Sequence, residues 1–372
     1  MEFRIAARAA AFRTGLRSFA FLAILALLAL PAASALAQGQ QQSPPPPNAT
    51  TAPPAPGSAA QQSAAPQLPG APEPPIKVTT GLVHLVVTVM DHHHNFITDL
   101  DKGDFKILEN GTPQDIRFFG RETDLPLRIG LLLDTSNSIR PRLDFEKDAA
   151  IDFLTRVIRR DKDMAFLMTF DNEPQIIQDY TSDASLLESA IRDQRAGGGT
   201  ALNDAIVMAS EKLIHPPLPR GPEAEVRRVI VIISDGNDNL SDHTLSDATD
   251  AAIRSEAAIF TVSTNTDWLS IDDASKPRKY NLDPGDKILQ NFADQTGGQA
   301  FFPYRVDDLA QSFYDIGTEL RSQYFIAYSP AGPAPRGEYR KIEVETDRKG
   351  LLVRTRKGYY AVAPSGAGPS AQ

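Results

Sequence analysis

Two runs of the chain are apolar without alternation and end abruptly on a carboxylate. Leu127 to Asp134 reads LRIGLLLD and Val229 to Asp235 reads VIVIISD. Short unbroken apolar runs of this kind predict strands buried on both faces, as in a parallel sheet. The intervening chain has a different period. Phe145, Ala149, Phe153, Val157 and Ile158 predict a helical stripe, as do Leu186, Leu187, Ala190 and Ile191. Leu202, Ala205, Ile206, Ala209 and Leu213 share one face of a further helix, expected over Ala201 to Leu213. Met164–Phe170 and Ala258–Val262 predict more strands. Helices are expected over 244–255, 286–295 and 306–321, with a polar loop at 265–284. Strands alternating with helices over 126–322 predict an α/β fold, a doubly wound and mainly parallel sheet covered on both faces.

The flanks alternate instead. Val83, Leu85, Val87 and Val89 lie two apart, and Asp104–Glu109 followed by Asn110-Gly111 predicts a hairpin with Gln114–Phe119 as its second strand. Past the α/β region, Tyr324–Tyr328, Tyr339–Glu345 and Leu351–Arg356 have the same texture. A β segment of about 50 residues buries too little to stand alone. Residues 76–125 and 323–362 are therefore expected to pair into one small sandwich-like unit, with the α/β domain 126–322 inserted between them.

The ends are of another character. Residues 1–37 carry Arg4, Arg8, Arg13 and Arg17, then an apolar core from Phe19 to Leu30, then Ala35-Leu36-Ala37. That order predicts a secretory signal cleaved before Gln38, leaving no stable membrane span and placing the protein outside the cytoplasm, secreted or periplasmic. Residues 38–75, rich in Pro, Gln, Ala and Ser, predict a disordered linker, and 363–372 a disordered tail. The 372 residues include no Cys, which excludes disulfides and thiolate metal sites. The formal charge is −9; without the signal, 34 basic face 46 acidic side chains, or −12. That balance argues against nucleic acid as a partner.

The candidate chemistry lies where the strands stop. Asp134, Ser136 and Ser138 follow the first run, Thr200 follows Gly197-Gly198-Gly199, and Asp235 closes the second run. Ligands of open α/β sheets bind beyond the carboxyl ends of the strands. Two carboxylates and three hydroxyls are hard oxygen donors suited to Mg2+ or Mn2+. Other chemistries fit less well. A phospho-acceptor Asp134 would need a second acid where Ser136 stands. No Gly-x-Ser-x-Gly surrounds either serine, and the glycine loop lacks the Gly-Lys-Ser/Thr ending of a phosphate loop. The His92-His93-His94 triplet is expected to be a solvated turn, since adjacent extended residues point to opposite faces.

At Asp134, Ser136, Ser138, Thr200 and Asp235 the chain resembles the von Willebrand factor A-type (VWA) domain. The metal-ion-dependent adhesion site (MIDAS) of that family runs Asp-x-Ser-x-Ser, then Thr, then Asp. Over roughly 76–362 it is similar to the secreted VWA-related proteins of acidobacteria. The resemblance implies a Rossmann-like sheet and an ion that captures an Asp or Glu of a partner protein. Asn203 and Asp204 are expected to support the ligands, and Asp238, Asn239 and Asp242 to shape a partner-binding rim. No group in the set moves a proton at neutral pH, so a binding module for adhesion or envelope assembly is expected, not an enzyme. The alternative is a structural envelope protein whose metal site is only stabilising or vestigial.

Overall fold

The computed structural model describes residues 81–121, 125–219, 225–265, 282–303, 306–332 and 335–361. The expected signal, the linker, most of the polar loop and the tail lie outside the described residues.

The chain opens with β1 (Val83–Met90), whose alternate side chains Val83, Leu85, Val87 and Val89 are buried. The three histidines follow in an exposed turn closed by Asp91. β2 (Phe105–Glu109) turns at Asn110-Gly111, both at positive φ, as a tight two-residue hairpin requires. The hairpin partner is shorter than expected. Of the expected partner segment, β3 (Thr112–Gln114) alone pairs with β2, while β4 (Ile116–Gly120) departs to another sheet.

The α/β layer comprises β5 (Leu127–Asp134), α1 (Leu143–Val157), β6 (Met164–Phe170), β7 (Pro174–Thr181), α2 (Ala184–Arg192), α3 (Leu202–Ile214) and β8 (Arg227–Ser234). It continues through α4 (Leu245–Ser255), β9 (Ala258–Ser263), α5 (Pro284–Thr296), β10 (Ala300–Phe301) and α6 (Val306–Glu319). Its sheet has the order β10-β9-β8-β5-β6-β7, parallel except for β7 at one edge. Every residue of β5 is buried, and separate apolar clusters cover the two faces of the sheet. Gly130 sits at its middle because the Phe166 ring fills the space; a Cβ there would lie 2.5 Å from the ring.

Two predicted stripes are rotated. Phe145 and Leu186 are half exposed, and the buried faces run through Leu143, Glu146, Ala150, Phe153 and Leu154 on α1 and through Leu187 and Ile191 on α2. Residues on the boundary of an amphipathic face fit either assignment by period alone.

The chain then returns to β structure as β11 (Tyr324–Tyr328), β12 (Tyr339–Thr346), β13 (Leu352–Arg354) and β14 (Gly358–Tyr360). Two antiparallel sheets result, β13-β1-β11-β4 and β14-β12-β2-β3, so each combines early and late strands. Their inner faces share one core of Leu85, Val87, Ile107, Tyr324, Ile326 and Ile342 among others. Glu109 is buried in this core, where it accepts hydrogen bonds from Tyr328 Oη (2.7 Å), Tyr359 Oη (3.0 Å) and Arg340 Nη1 (2.5 Å). Polar contacts bind the β layer to the end of α6: Thr88 Oγ1 donates to Glu319 Oε1 (2.8 Å), which also pairs with Arg354.

Candidate metal centre

β5 and β8 lie side by side, so Asp134 and Asp235 emerge together at the carboxyl edge of the sheet. Asp134 is fully buried. Its Oδ2 accepts a hydrogen bond from Ser234 Oγ (2.6 Å) and its Oδ1 from the Ser136 amide (2.8 Å). Two residues on, Ser136 Oγ and Ser138 Oγ are 2.9 Å apart. The Asp134-Ser136-Ser138 group is therefore convergent.

The Thr200 loop is tied to the same place by backbone contacts. Gly197 N donates to Thr135 O (2.8 Å) and Asn137 N to Gly198 O (3.2 Å). Gly198 has φ +79°, and a Cβ there would lie 2.9 Å from the Asn172 side chain, whose Oδ1 accepts from Gly199 N. Thr200 is buried, and its amide donates to Asn239 Oδ1 (2.9 Å). On the other side, Gly236 (φ +75°) lets the chain turn away from Asp235 against the first turn of α5, where Gly285 touches the Asp235 carbonyl.

The five predicted ligands thus lie on three adjoining loops at one end of the sheet. Direct side-chain contact joins the members of the first loop. Asp235 reaches Asp134 through the electrostatic field and uses Oδ1 to accept the Asn237 amide.

The remaining predicted residues are engaged with one another. Asn203 N donates to Asp238 Oδ2 (2.9 Å), which also accepts from Ser241 Oγ. Asp204 accepts from the amides of Asp242 and His243 and lies 2.7 Å from His243 Nδ1. Asn203 and Asp204 thereby fasten α3 to the 238–243 loop, and Asn239 reaches back to Thr200. Asp242 is exposed at the loop's outer edge.

Sequence reasoning passed over three participants. Ser234 was hidden by its neighbour Asp235. Asn172 follows β6 in a loop with no motif. Glu146 sits where a helix stripe should be apolar, yet it is 1% exposed with neither carboxylate oxygen hydrogen-bonded.

The electrostatics are one-sided. Burial pushes Asp134 up to about 6, and nearby Asp235 adds to the effect, against the hydrogen bonds from Ser234 and Ser136. Burial also pushes Glu146 up to about 8, with Asp134 and Asp235 contributing and Arg142 opposing. Among the described residues, neither Asp134 nor Asp235 is paired with a basic side chain. Two uncompensated carboxylates with three hydroxyl oxygens fit a hard divalent cation. Among the described residues there is no cluster of three or more His, Cys, Asp or Glu that would hold an ion without those hydroxyls.

Residues 129–237 match the sequence model of the von Willebrand factor type A domain. No curated protein matches the chain. Among solved structures, a von Willebrand factor type A protein from Catenulispora acidiphila is similar over 77% of this chain and 74% of its own, at 12% identity and a TM-score of 0.42. An aerotolerance-related membrane protein from Bacteroides fragilis is 20% identical over 52% of this chain and 98% of its own, with a TM-score of 0.40. Proximal thread matrix protein 1 from the mussel byssus, solved with a zinc-occupied MIDAS motif, is 18% identical over 56% of this chain, with a TM-score of 0.41. The chain spans about half the length of the mussel protein, 48%.

Proposed function

Taking as premise that the chain carries a von Willebrand factor type A domain, we propose that it is a metal-dependent protein-binding module, exported to the cell envelope or beyond. One observation carries the reading: a fully buried Asp134 carboxylate, with no basic partner among the described residues, stands beside a pair of serine hydroxyls at the carboxyl end of the sheet. In this reading Asp134, Ser136, Ser138, Thr200 and Asp235 hold Mg2+ or Mn2+. The mussel protein holds zinc at its motif; here an all-oxygen donor set favours the harder ions.

The ion supplies a local positive charge on a chain whose net charge is −9. An Asp or Glu of a partner protein is the natural complement, because two carboxylates and neutral hydroxyls leave room for one more anionic oxygen. This chain's own residues do the positioning. Ser234 and the Ser136 amide orient Asp134, while Asn239 and Asn172 fix the Thr200 loop. None of these groups is placed to shuttle a proton to a substrate, so we assign binding and no catalysis.

Calorimetry tests the site. Wild-type protein is expected to bind one Mg2+ or Mn2+ per chain, and Asp134→Ala to abolish this with the fold retained, since Asp134 ends a strand. Partner capture from envelope extract should be lost with EDTA and in Asp134→Ala, by roughly the 2–5 kcal/mol of losing a paired charge. Unchanged metal affinity in Asp134→Ala rejects the site. Metal-dependent melting without any metal-dependent partner leaves the structural role instead. For export, the mass of protein from its native envelope should correspond to a start at Gln38; an intact Met1 contradicts signal cleavage.

A further inference from the structure

The two faces of the sheet bring unlike charge to the rim of the candidate metal centre. α1 and α2 cover one face, and α3 and α4 the other. On the α3 and α4 side, residues 238–247 include Asp238, Asp242 and Asp247 and no Lys or Arg. On the α1 and α2 side lies a groove of about 530 Å³, between the first half of α1 and the loop after α2. Its charged lining is Arg140, Asp144, Lys147, Arg192, Asp193 and Arg195.

The groove begins at the site itself. Arg140 stands two residues after Ser138, a span of at most about 7 Å. Its Nη2 donates to the Ala196 carbonyl (3.1 Å), and the next residue, Gly197, donates its amide to Thr135 O (2.8 Å). The loops that carry Ser136, Ser138 and Thr200 therefore also form the near wall of the groove.

Most of the lining charges are already matched. Lys147 caps the end of α2 by donating to the Arg192 and Gln194 carbonyls, and it lies 3.9 Å from Asp144. Arg192 holds Asp148 (3.2 Å) and Glu188 (3.0 Å). Arg140 and Arg195 differ. Both are exposed, and among the described residues neither has an acid within 4 Å, whereas the exposed Arg121, Arg156, Arg160 and Arg348 each have one. Arg195 makes no side-chain hydrogen bond among the described residues either. With Asp144 facing Lys147, only Asp193 of the lining stands against these two guanidiniums. The surplus is small, since Asp148 and Glu188 lie close by, and it suits a single side-chain carboxylate better than a polyanion.

We propose that the groove receives a second acid of the partner: the segment captured at the metal centre carries two carboxylates, one for the ion and one for Arg140 and Arg195. This rests on the metal-dependent capture proposed for the site and gives it a direction, because the acidic rim over the other face repels the same side chain. The planar guanidinium offers paired N–H donors that match a carboxylate. An extended segment covers the distance from the ion to the groove in about two to four residues.

The test mixes the full chain, in Mg2+, with fluorescent glycine-rich peptides bearing either one Asp or two Asp at varied spacing, and reads binding by anisotropy. At the best spacing the two-acid peptide should bind about fivefold tighter than the one-acid peptide, an advantage that shrinks in high salt. Arg195→Gln should remove most of the advantage and Arg140→Gln the rest, while melting temperature, Mg2+ affinity and one-acid binding stay as in wild type. If Mg2+ and the one-acid peptide bind but a second acid adds nothing at any spacing, the groove proposal is overturned and the metal site stands. The same holds if the double variant, still binding Mg2+, keeps the advantage. Dextran sulfate held more tightly than the two-acid peptide, and indifferent to EDTA, would give the groove to a sulfated polymer and also overturn the proposal. Absence of Mg2+ binding in calorimetry removes the metal site itself, and this proposal with it.

Discussion

Glu146 lies in the first half of α1, buried, with both oxygens unpaired and two carboxylates of the site acting on it. Its folded pKa of about 8 lies above the ordinary 4.5, so the native state keeps a proton that the unfolded chain releases between these values. Stability must then fall as pH rises through that window. Asp134, raised from 3.8 to about 6, acts in the same direction over its own lower range. In EDTA, the melting temperature should therefore decline from pH 5 to 8, and Glu146→Gln should flatten the part above about pH 6. A slope above pH 6 that survives Glu146→Gln would assign the effect to another group. This residue also shows where a sequence stops being readable. The carboxylates and hydroxyls of the site were legible because strand ends and a five-residue motif marked them. Glu146 was not, since a charged side chain on a buried face breaks the periodicity that would reveal it.

Among the elements, β5 and β8 carry the site and are the ones the hydrophobic pattern reveals best, being apolar on both faces. β7 was not legible at all. Its sequence PQIIQDYT alternates poorly because it is an edge strand, paired on one side and partly exposed throughout. α5 has a less obvious role. Its first turn presses on the loop after β8, and a Cβ on Gly285 would fall 2.1 Å from the Asp235 carbonyl oxygen. Gly285→Ala must move either the helix or Asp235, since every atom the new carbon meets is backbone. We expect a loss of about 1–3 kcal/mol in stability, as for overpacking, together with weaker metal binding. Gly103→Ala is the control, with nothing within 4 Å of the added carbon. Equal metal affinity in the two variants would show that α5 does not position Asp235.

At the scale of the whole described body, early and late strands share both sheets of the β layer, β1 standing between β13 and β11, and β2 between β3 and β12. A chain ending at Ser322 would lack every late strand and leave Leu85, Val87 and Ile107 uncovered. It should aggregate or elute far from a monodisperse position in gel filtration. Recovery as a monomer with the full chain's melting temperature would show that the α/β layer needs no β partner. That pairing was suggested by composition, because neither flank had enough apolar residues for a core. The sorting of β3 and β4 into different sheets was not, because the Asn110-Gly111 turn specifies only the hairpin's start. The same arrangement has a mechanical consequence. Val83 and Tyr360 both belong to the β layer, so tension applied between them runs through the β1 and β14 pairings. The α/β layer, entering at β5 and leaving at α6, has no strand in either of these sheets and meets β14 only through side chains such as Tyr360 on Asp250. The loops of the candidate site would keep their shape under a pull that shears the β strands, and the sheet that gives way first is not the one that carries Asp134 and Asp235.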